Sequence, residues 1–454
     1  VRSAEALAAA LLVAAGFASL GRRIAGPGEP GLAGWNSRFQ IGAAAAAMAL
    51  FPLSLIAGKA ALAVLGGALA ALLAVELFRA SRSGRVADFR AGFGLAEAAL
   101  VAAVLLFAIL NARVGLVTDG ISIWAGKGRA LFEDGALSER LSDPSFLGRY
   151  SLYPPLVPLS SALVGIVCRR FDADVAKAFA PVFFASLLVA VRSGGLRLFP
   201  RRIAAGAALV AAFLPAVSTD WNAGGFAELP LAAFAAGVAA ALLDPSPDAG
   251  WRSARGWHLA ALTTVKPEGT ILALVAAFAA VAGGPKAAMR RAFRWRRAGA
   301  ILGGALLVRV AYLAWIALPD EAFRALDRGH VEAVFHAIPR VAIGCAGAAF
   351  DVRLWGLFWP AVLAAAAVLA RRGTARERRL AAGVTLAVGI DAAIFLFSTW
   401  NERAGISPEA GIARHIALAF PRLLEQVAGA AAIVLGAGWS RAAEPGLSGD
   451  ARRV

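Results

Sequence analysis

Asp119 is an isolated carboxylate placed where a long apolar run gives way to polar chain. The stretch after it, TDGISIWAGKGRALFEDGALSERLSDPSFLGRYSLYPPLVPL, gathers acids, bases, aromatics and prolines within a largely apolar sequence. A carboxylate at a wet membrane boundary can take the proton of an acceptor hydroxyl. Cations beside it can hold an anionic leaving group, and Lys127 and Arg149 are the candidates in this stretch. Trp124 offers an aromatic face, and Tyr153-Pro154-Pro155 makes a rigid corner that re-enters apolar sequence. A polar connection of this length between membrane helices is more often functional than idle. Asp119 also has a structural reading, as the cap of the helix that follows it.

Three further places carry chemistry-bearing residues. The loop Asp220 to Glu228 is a second acidic connection. There Glu228 can position an acceptor or help hold a divalent metal, or simply favour a helix dipole as an N-terminal acid. The sequence Lys266-Pro267-Glu268-Gly269 interrupts an apolar run, so Lys266 can contact substrate or pair with Glu268 to stabilise the interruption. Arg414-His415 opens the last apolar segment; Arg414 is a further phosphate candidate, or an interfacial anchor. The sequence identifies no cofactor. Two cysteines and four scattered histidines exclude a disulfide framework and a cysteine-based zinc site.

The elements that position these residues are transmembrane helices. The 454 residues are 59% hydrophobic and 17% charged, and apolar runs recur at close to the ~20 residues that cross a bilayer. Such runs, rich in Ala and Leu, must satisfy their backbone groups internally, so the fold class is all-α, a polytopic helical bundle. The net charge of +17 sits in short basic clusters between apolar runs, the pattern of cytoplasmic loops facing anionic lipid rather than of a nucleic-acid surface. The first apolar run, Glu5 to Leu20, has no persuasive signal-peptide cleavage site.

Charge parity orders the chain. Basic clusters at 192–202, 252–255, 286–297 and 371–379 are expected on the cytoplasmic side, with 112–174, 220–228, 319–353 and 400–413 outside. The segment 153–168 then begins and ends outside, as a juxtamembrane helix. Residues 257–283 begin and end inside, as a re-entrant or broken helix turning at Pro267-Glu268-Gly269. The expected count is about eleven spans plus these two partial helices. They divide into an N-terminal helical region (1–93), a central module (94–283), C-terminal helices (284–439) and a disordered cytoplasmic tail (440–454).

The pattern D-x4-W-x2-K-x-R-A-L from Asp119, followed by YPPL-x-P from Tyr153, resembles the first outer loop of the C-type integral-membrane glycosyltransferases. GGFAELPLAAF is similar to that superfamily's second acidic motif, LAALTTVKPEGTILAL to its Lys-Pro-Glu-Gly segment, and Arg414-His415 to the opening of its last helix. The resemblance covers 94–283 and the region of 414. It implies transfer of a sugar from a polyprenyl-phosphate donor to a lipid, glycan or protein acceptor, as in the bacterial aminoarabinose transferases and the related protein O-mannosyltransferases. The implied location is the extracytoplasmic face of a bacterial inner membrane. Asp119 and Glu228 would then be the catalytic acids, with Trp124, Lys127, Arg149, Tyr153, Lys266, Arg414 and His415 binding substrate. One departure stands out. Branches of the superfamily often carry a second acid beside the first or beside the Pro-Pro corner, where this chain has Gly120 and Leu152.

Two other readings remain open on the residues alone. A membrane transporter would use the broken helix as a substrate or ion site. A non-catalytic subunit of an envelope polysaccharide assembly system would tolerate loss of Asp119.

Overall fold

Long Ala- and Leu-rich runs can close every backbone hydrogen bond within themselves, and the chain uses this solution throughout. The computed structural model describes residues 1–26, 31–83, 94–141, 143, 146, 151–244, 249–281, 296–316, 328–395 and 408–443, and the described chain is all-helical. The N-terminal part comprises α1 (Arg2–Ala25), α2 (Gly31–Ala57), α3 (Ala61–Ser83) and α4 (Leu95–Arg113). The middle comprises α5 (Gly126–Asp134), α6 (Leu156–Cys168), α7 (Ala180–Gly195), α8 (Arg201–Phe213), α9 (Glu228–Leu243), α10 (Ala249–Thr263) and α11 (Pro267–Val281). The remainder is α12 (Arg296–Trp315), α13 (Arg328–Ala349), α14 (Phe358–Arg372), α15 (Ala375–Ile394) and α16 (Pro408–Ala443).

Among the described residues, six helical stretches are long and apolar enough to cross a membrane. One of them, Gly31–Arg82, folds back on itself at Gly58, whose φ of +51° suits a residue without a side chain. The reversal follows from its neighbours. Arg38 near the start of α2 lies against Gly21, while Glu76 near the end of α3 pairs with Arg22, so both ends of the hairpin reach the same end of α1. The α1–α2 contact requires glycine: a Cβ on Gly42 would stand 1.7 Å from the carbonyl oxygen of Phe17. Burial separates inner from outer helices. The apolar window of Ala173–Gly195 is 83% buried, whereas that of α4 is 17% buried and exposes Leu105, Leu106 and Ile109. Apolar helices that expose their side chains this widely suit a hydrocarbon surround.

The two short segments read from parity are both present as helices. At 13 residues, α6 is ~20 Å long and too short to span. Its first amide, Leu156 N–H, donates to the Thr264 carbonyl, and the corner after it carries Arg170 to Glu5 at the beginning of α1. Helices α10 and α11 stop and restart around Thr264-Val265-Lys266. They pack so closely there that a Cβ on Gly269 would lie 2.0 Å from the Leu262 carbonyl oxygen. One expectation changes. Within 319–353, read as an outer loop, Arg328–Ala349 is a single 22-residue helix that includes Pro339. Its apolar second half, from Ile338, continues the helical pattern of the polar first half. The expected eleven spans exceed the six stretches that are long and apolar enough, because Gly31–Arg82 holds two of them and α8, α9 and α14 have only 13 to 16 residues.

Candidate functional site

The loop after α4 is carried to the start of α9 by two polar knots and one glycine. Asn111 at the end of α4 donates to the carbonyls of Lys177 (3.1 Å) and Ala223 (2.6 Å), and Lys177 Nζ returns a bond to the Asn111 carbonyl at 2.6 Å. Gly120 then lies against the 224–225 backbone, where a Cβ would approach the Gly224 carbonyl oxygen to 2.4 Å. This explains the departure noted beside Asp119: position 120 has no room for an acid.

That approach sets Asp119 beside Glu228, and a third residue joins them. Arg422, well inside α16, places Nη2 2.7 Å from Asp119 Oδ2 and 2.6 Å from Glu228 Oε1, while its Nε donates to the same Glu228 oxygen at 2.7 Å. Lys266, at the α10–α11 break, donates to Glu228 Oε1 at 2.8 Å and lies 3.6 Å from Glu268. The Arg422 guanidinium also stacks on Phe226, 4.7 Å from the ring centroid. Glu228 is 1% exposed and Lys266 4%, whereas the Asp119 side chain keeps 27% of its surface. The cluster thus runs from a buried pair to a carboxylate that solvent or a substrate can reach. Asp119 does not cap the helix after it, since its carboxylate is taken by Arg422. Deeper in the bundle, Glu425 is 5% exposed and accepts from Asn222 Nδ2 at 2.6 Å.

Tyr153 joins the cluster from the Pro-Pro corner. Burial pushes its phenol up to about 12, reinforced by the Glu268 and Glu228 carboxylates and opposed by Lys266 and Arg422. The corner is held by Lys127, which is fully buried and donates to the Ser151 carbonyl (2.9 Å), the Tyr153 carbonyl and the Tyr312 hydroxyl (2.6 Å). Arg309 takes the Leu152 carbonyl between them, and Tyr312 donates to the Ser151 carbonyl at 2.9 Å. Three successive carbonyls are therefore claimed by two cations and a phenol. Burial, with the Arg309 guanidinium nearby, holds the Lys127 ammonium well below the usual lysine range. Trp124 is 2% exposed and packs edge-on against Tyr153, with centroids 5.2 Å apart.

The residues singled out from sequence therefore separate. Asp119, Glu228, Lys266 and Tyr153 assemble, while Lys127 and Trp124 sit behind the corner that presents Tyr153. Arg414 is exposed and lies eight residues before Arg422 on α16, about 12 Å away along its axis. His415 packs edge-on against Phe395. Arg149 lies outside the described residues. Arg422, Glu425, Asn222, Arg309 and Tyr312 carry the rest of the geometry, and the sequence reading passed over them. Arg422 and Glu425 had a signal, being ionisable residues inside an otherwise apolar helix. Among the described residues, no group of three or more His, Cys, Asp or Glu side chains could hold a metal. One Glu228 oxygen is already shared by an ammonium and a guanidinium, an environment built for ion pairing rather than for a divalent metal. No family model, curated protein or solved structure matches the chain.

Proposed function

We propose that the chain is an integral-membrane glycosyltransferase that moves a sugar from a polyprenyl-phosphate donor to a lipid, glycan or protein acceptor. The observation that carries this reading is the Arg422 bridge between a reachable carboxylate, Asp119, and a buried one, Glu228. In the resting arrangement the guanidinium occupies Asp119. The donor phosphodiester offers Arg422 another bidentate anionic partner whose charge grows as the bond to the sugar breaks, and exchange of Asp119 for that phosphate frees the carboxylate as a base. Asp119 then takes the acceptor hydroxyl proton, the acceptor oxygen forms its bond to the anomeric carbon, and the bond to the phosphate oxygen breaks. Arg422 and Lys266 stabilise the departing polyprenyl phosphate. Glu228 keeps both cations in place.

The fuller topology belongs to the same proposal: about eleven spans of a bacterial inner membrane, with the carboxylate cluster on the extracytoplasmic side. Cysteine labelling at position 225 is expected from that side, and labelling from the cytoplasm alone contradicts it.

A transporter is the second reading, and a specific observation favours it. Glu425 and Asp391 are ionisable groups 5% and 1% exposed inside apolar helices, near a broken helix. Proteoliposomes separate the two readings. With a sugar-labelled polyprenyl-phosphate donor and lipid or glycan acceptors, the enzyme reading expects label on the acceptor. Flux of a free solute without any transfer product supports the transporter instead.

A further inference from the structure

The loop that ends at Glu228 also presents an aromatic surface beside the carboxylate cluster. Two buried asparagines fix its chain. Asn111 holds the Ala223 carbonyl at 2.6 Å, and Asn222 donates to the Val217 carbonyl at 2.9 Å and to Glu425 Oε1 at 2.6 Å. Gly225, at a φ of +96°, turns the chain back so that Phe226 N–H donates to the Trp221 carbonyl and the two rings stack. Their centroids are 5.7 Å apart and their planes 18° from parallel. Phe226 is buried and carries the Arg422 guanidinium 4.7 Å from its ring centroid, whereas Trp221 is 48% exposed. Among the described residues, Phe226 is the one aromatic partner of Trp221. Arg422 and Phe226 therefore join Asp119 to the open indole. Ile121, two residues after Asp119, is exposed as well.

We propose that Trp221 is the acceptor subsite of this cluster and that the acceptor is a saccharide, whose ring stacks on the indole while one of its hydroxyls reaches Asp119. The assignment rests on the glycosyl-transfer reading and narrows its acceptor to a carbohydrate. A pyranose has an apolar C–H face and a rim of hydroxyls. The indole offers a flat apolar surface with a negative π face for the first, and Asp119 an acceptor for the second. A plain acyl chain has no such rim of hydroxyls. Anchoring in a headgroup layer needs only an indole at the right depth. It does not need that indole stacked on the ring that carries Arg422, on a loop fixed by two buried asparagines. An aromatic held in this way loses little freedom when a ligand covers it. Entry from the Trp221 side leaves Arg422 and Lys266, farther in, to the donor phosphate.

The test uses the full chain purified in a sugar-free zwitterionic detergent. It is titrated with maltotetraose, with a β-linked N-acetylglucosamine tetrasaccharide and with a serine-rich peptide, and binding is read by saturation-transfer NMR. At least one oligosaccharide is expected to bind, with transfer strongest to its ring C–H protons. Trp221→Ala is expected to weaken that binding about tenfold at an unchanged unfolding midpoint, and Trp221→Phe, which keeps a stacking face, to retain most of it. Trp439 is exposed near the end of α16, and Trp439→Ala serves as the control that binds as wild type. In transfer to the bound oligosaccharide, Trp221→Ala should raise the acceptor KM about tenfold and leave the donor KM unchanged. Binding of neither oligosaccharide, binding unchanged in Trp221→Ala, or a peptide that binds through Trp221 in their place overturns the proposal. Oligosaccharide binding through Trp221 without any transfer product overturns the glycosyl-transfer reading instead and leaves the saccharide site standing.

Discussion

Two lysines, Lys127 and Lys266, are buried on either side of the Tyr153 corner, and they do opposite things. Lys266 meets carboxylates, Glu228 at 2.8 Å and Glu268 at 3.6 Å, and is part of a network that reaches solvent through Asp119. Lys127 meets two backbone carbonyls and the Tyr312 hydroxyl, with Arg309 beside it. An ammonium on carboxylates can take another anion, such as a phosphate, in place of one of them, because charge is exchanged for charge. An ammonium on carbonyls is a fastener, and moving it leaves acceptors stranded in a dry corner. The comparison assigns chemistry to the Lys266 side and rigidity to the Lys127 side.

The largest expected effect breaks the network at its hub. Arg422→Gln removes the cation shared by Asp119 and Glu228 and leaves Glu228 with Lys266 alone. A loss of about 3–5 kcal/mol in stability is expected, measured by denaturant unfolding in detergent. A loss below ~1 kcal/mol would place Arg422 among ordinary surface pairs. Next comes the fastener. Lys127→Met keeps the volume but strands the Tyr153 carbonyl while Tyr312 still serves Ser151, so a cost of about 1–3 kcal/mol is expected. An unchanged unfolding midpoint would show that the corner needs no cation.

A pH experiment sharpens the contrast further. The Tyr153 phenol is raised by burial to about 12 in the folded chain against ~10 in the unfolded one. The folded state therefore holds that proton more tightly. The associated stability is fully present below pH ~10 and is lost as pH rises from there through about 12. Tyr153→Phe should flatten that decline, and an ultraviolet difference titration against the variant should show no phenolate from Tyr153 near pH 10. The smallest effect belongs to the surface of α5, where Arg129 pairs with Glu133 at 2.7 Å on exposed helix. Arg129→Gln should change stability by less than ~0.5 kcal/mol and leave transfer intact. A large activity loss there would extend the site beyond the cluster.

Much of the frame was legible because it rests on one-dimensional signals. Apolar runs and basic clusters gave helices and parity. Parity in turn put 112–174 and 220–228 on one side, and Asp119 and Glu228 do meet. The break at Lys266 was legible from a proline and charges inside an apolar run, and the shortness of 156–168 from its prolines and its flanks. Arg422 was not legible as a partner. The last apolar segment invited attention to its opening at Arg414, and the face on which a mid-helix arginine lies depends on packing. The role of Lys127 was hidden for a different reason: carbonyl acceptors leave no mark in a sequence, so a fastening lysine and a phosphate-binding one read alike. Gly120 looked like a missing acid until the Gly224 carbonyl was found against it.

The proposed reaction turns on Asp119, the most exposed carboxylate of the network, with 27% of its side chain exposed against 23% for Glu268 and 1% for Glu228. Asp119→Asn preserves shape and can still accept from Arg422, but it cannot take a proton from an acceptor hydroxyl. Transfer from a polyprenyl-phosphate sugar in proteoliposomes, at matched expression and with the unfolding midpoint confirmed, is expected to fall by ~10²–10⁴-fold. Wild-type turnover in a folded Asp119→Asn protein would contradict the account.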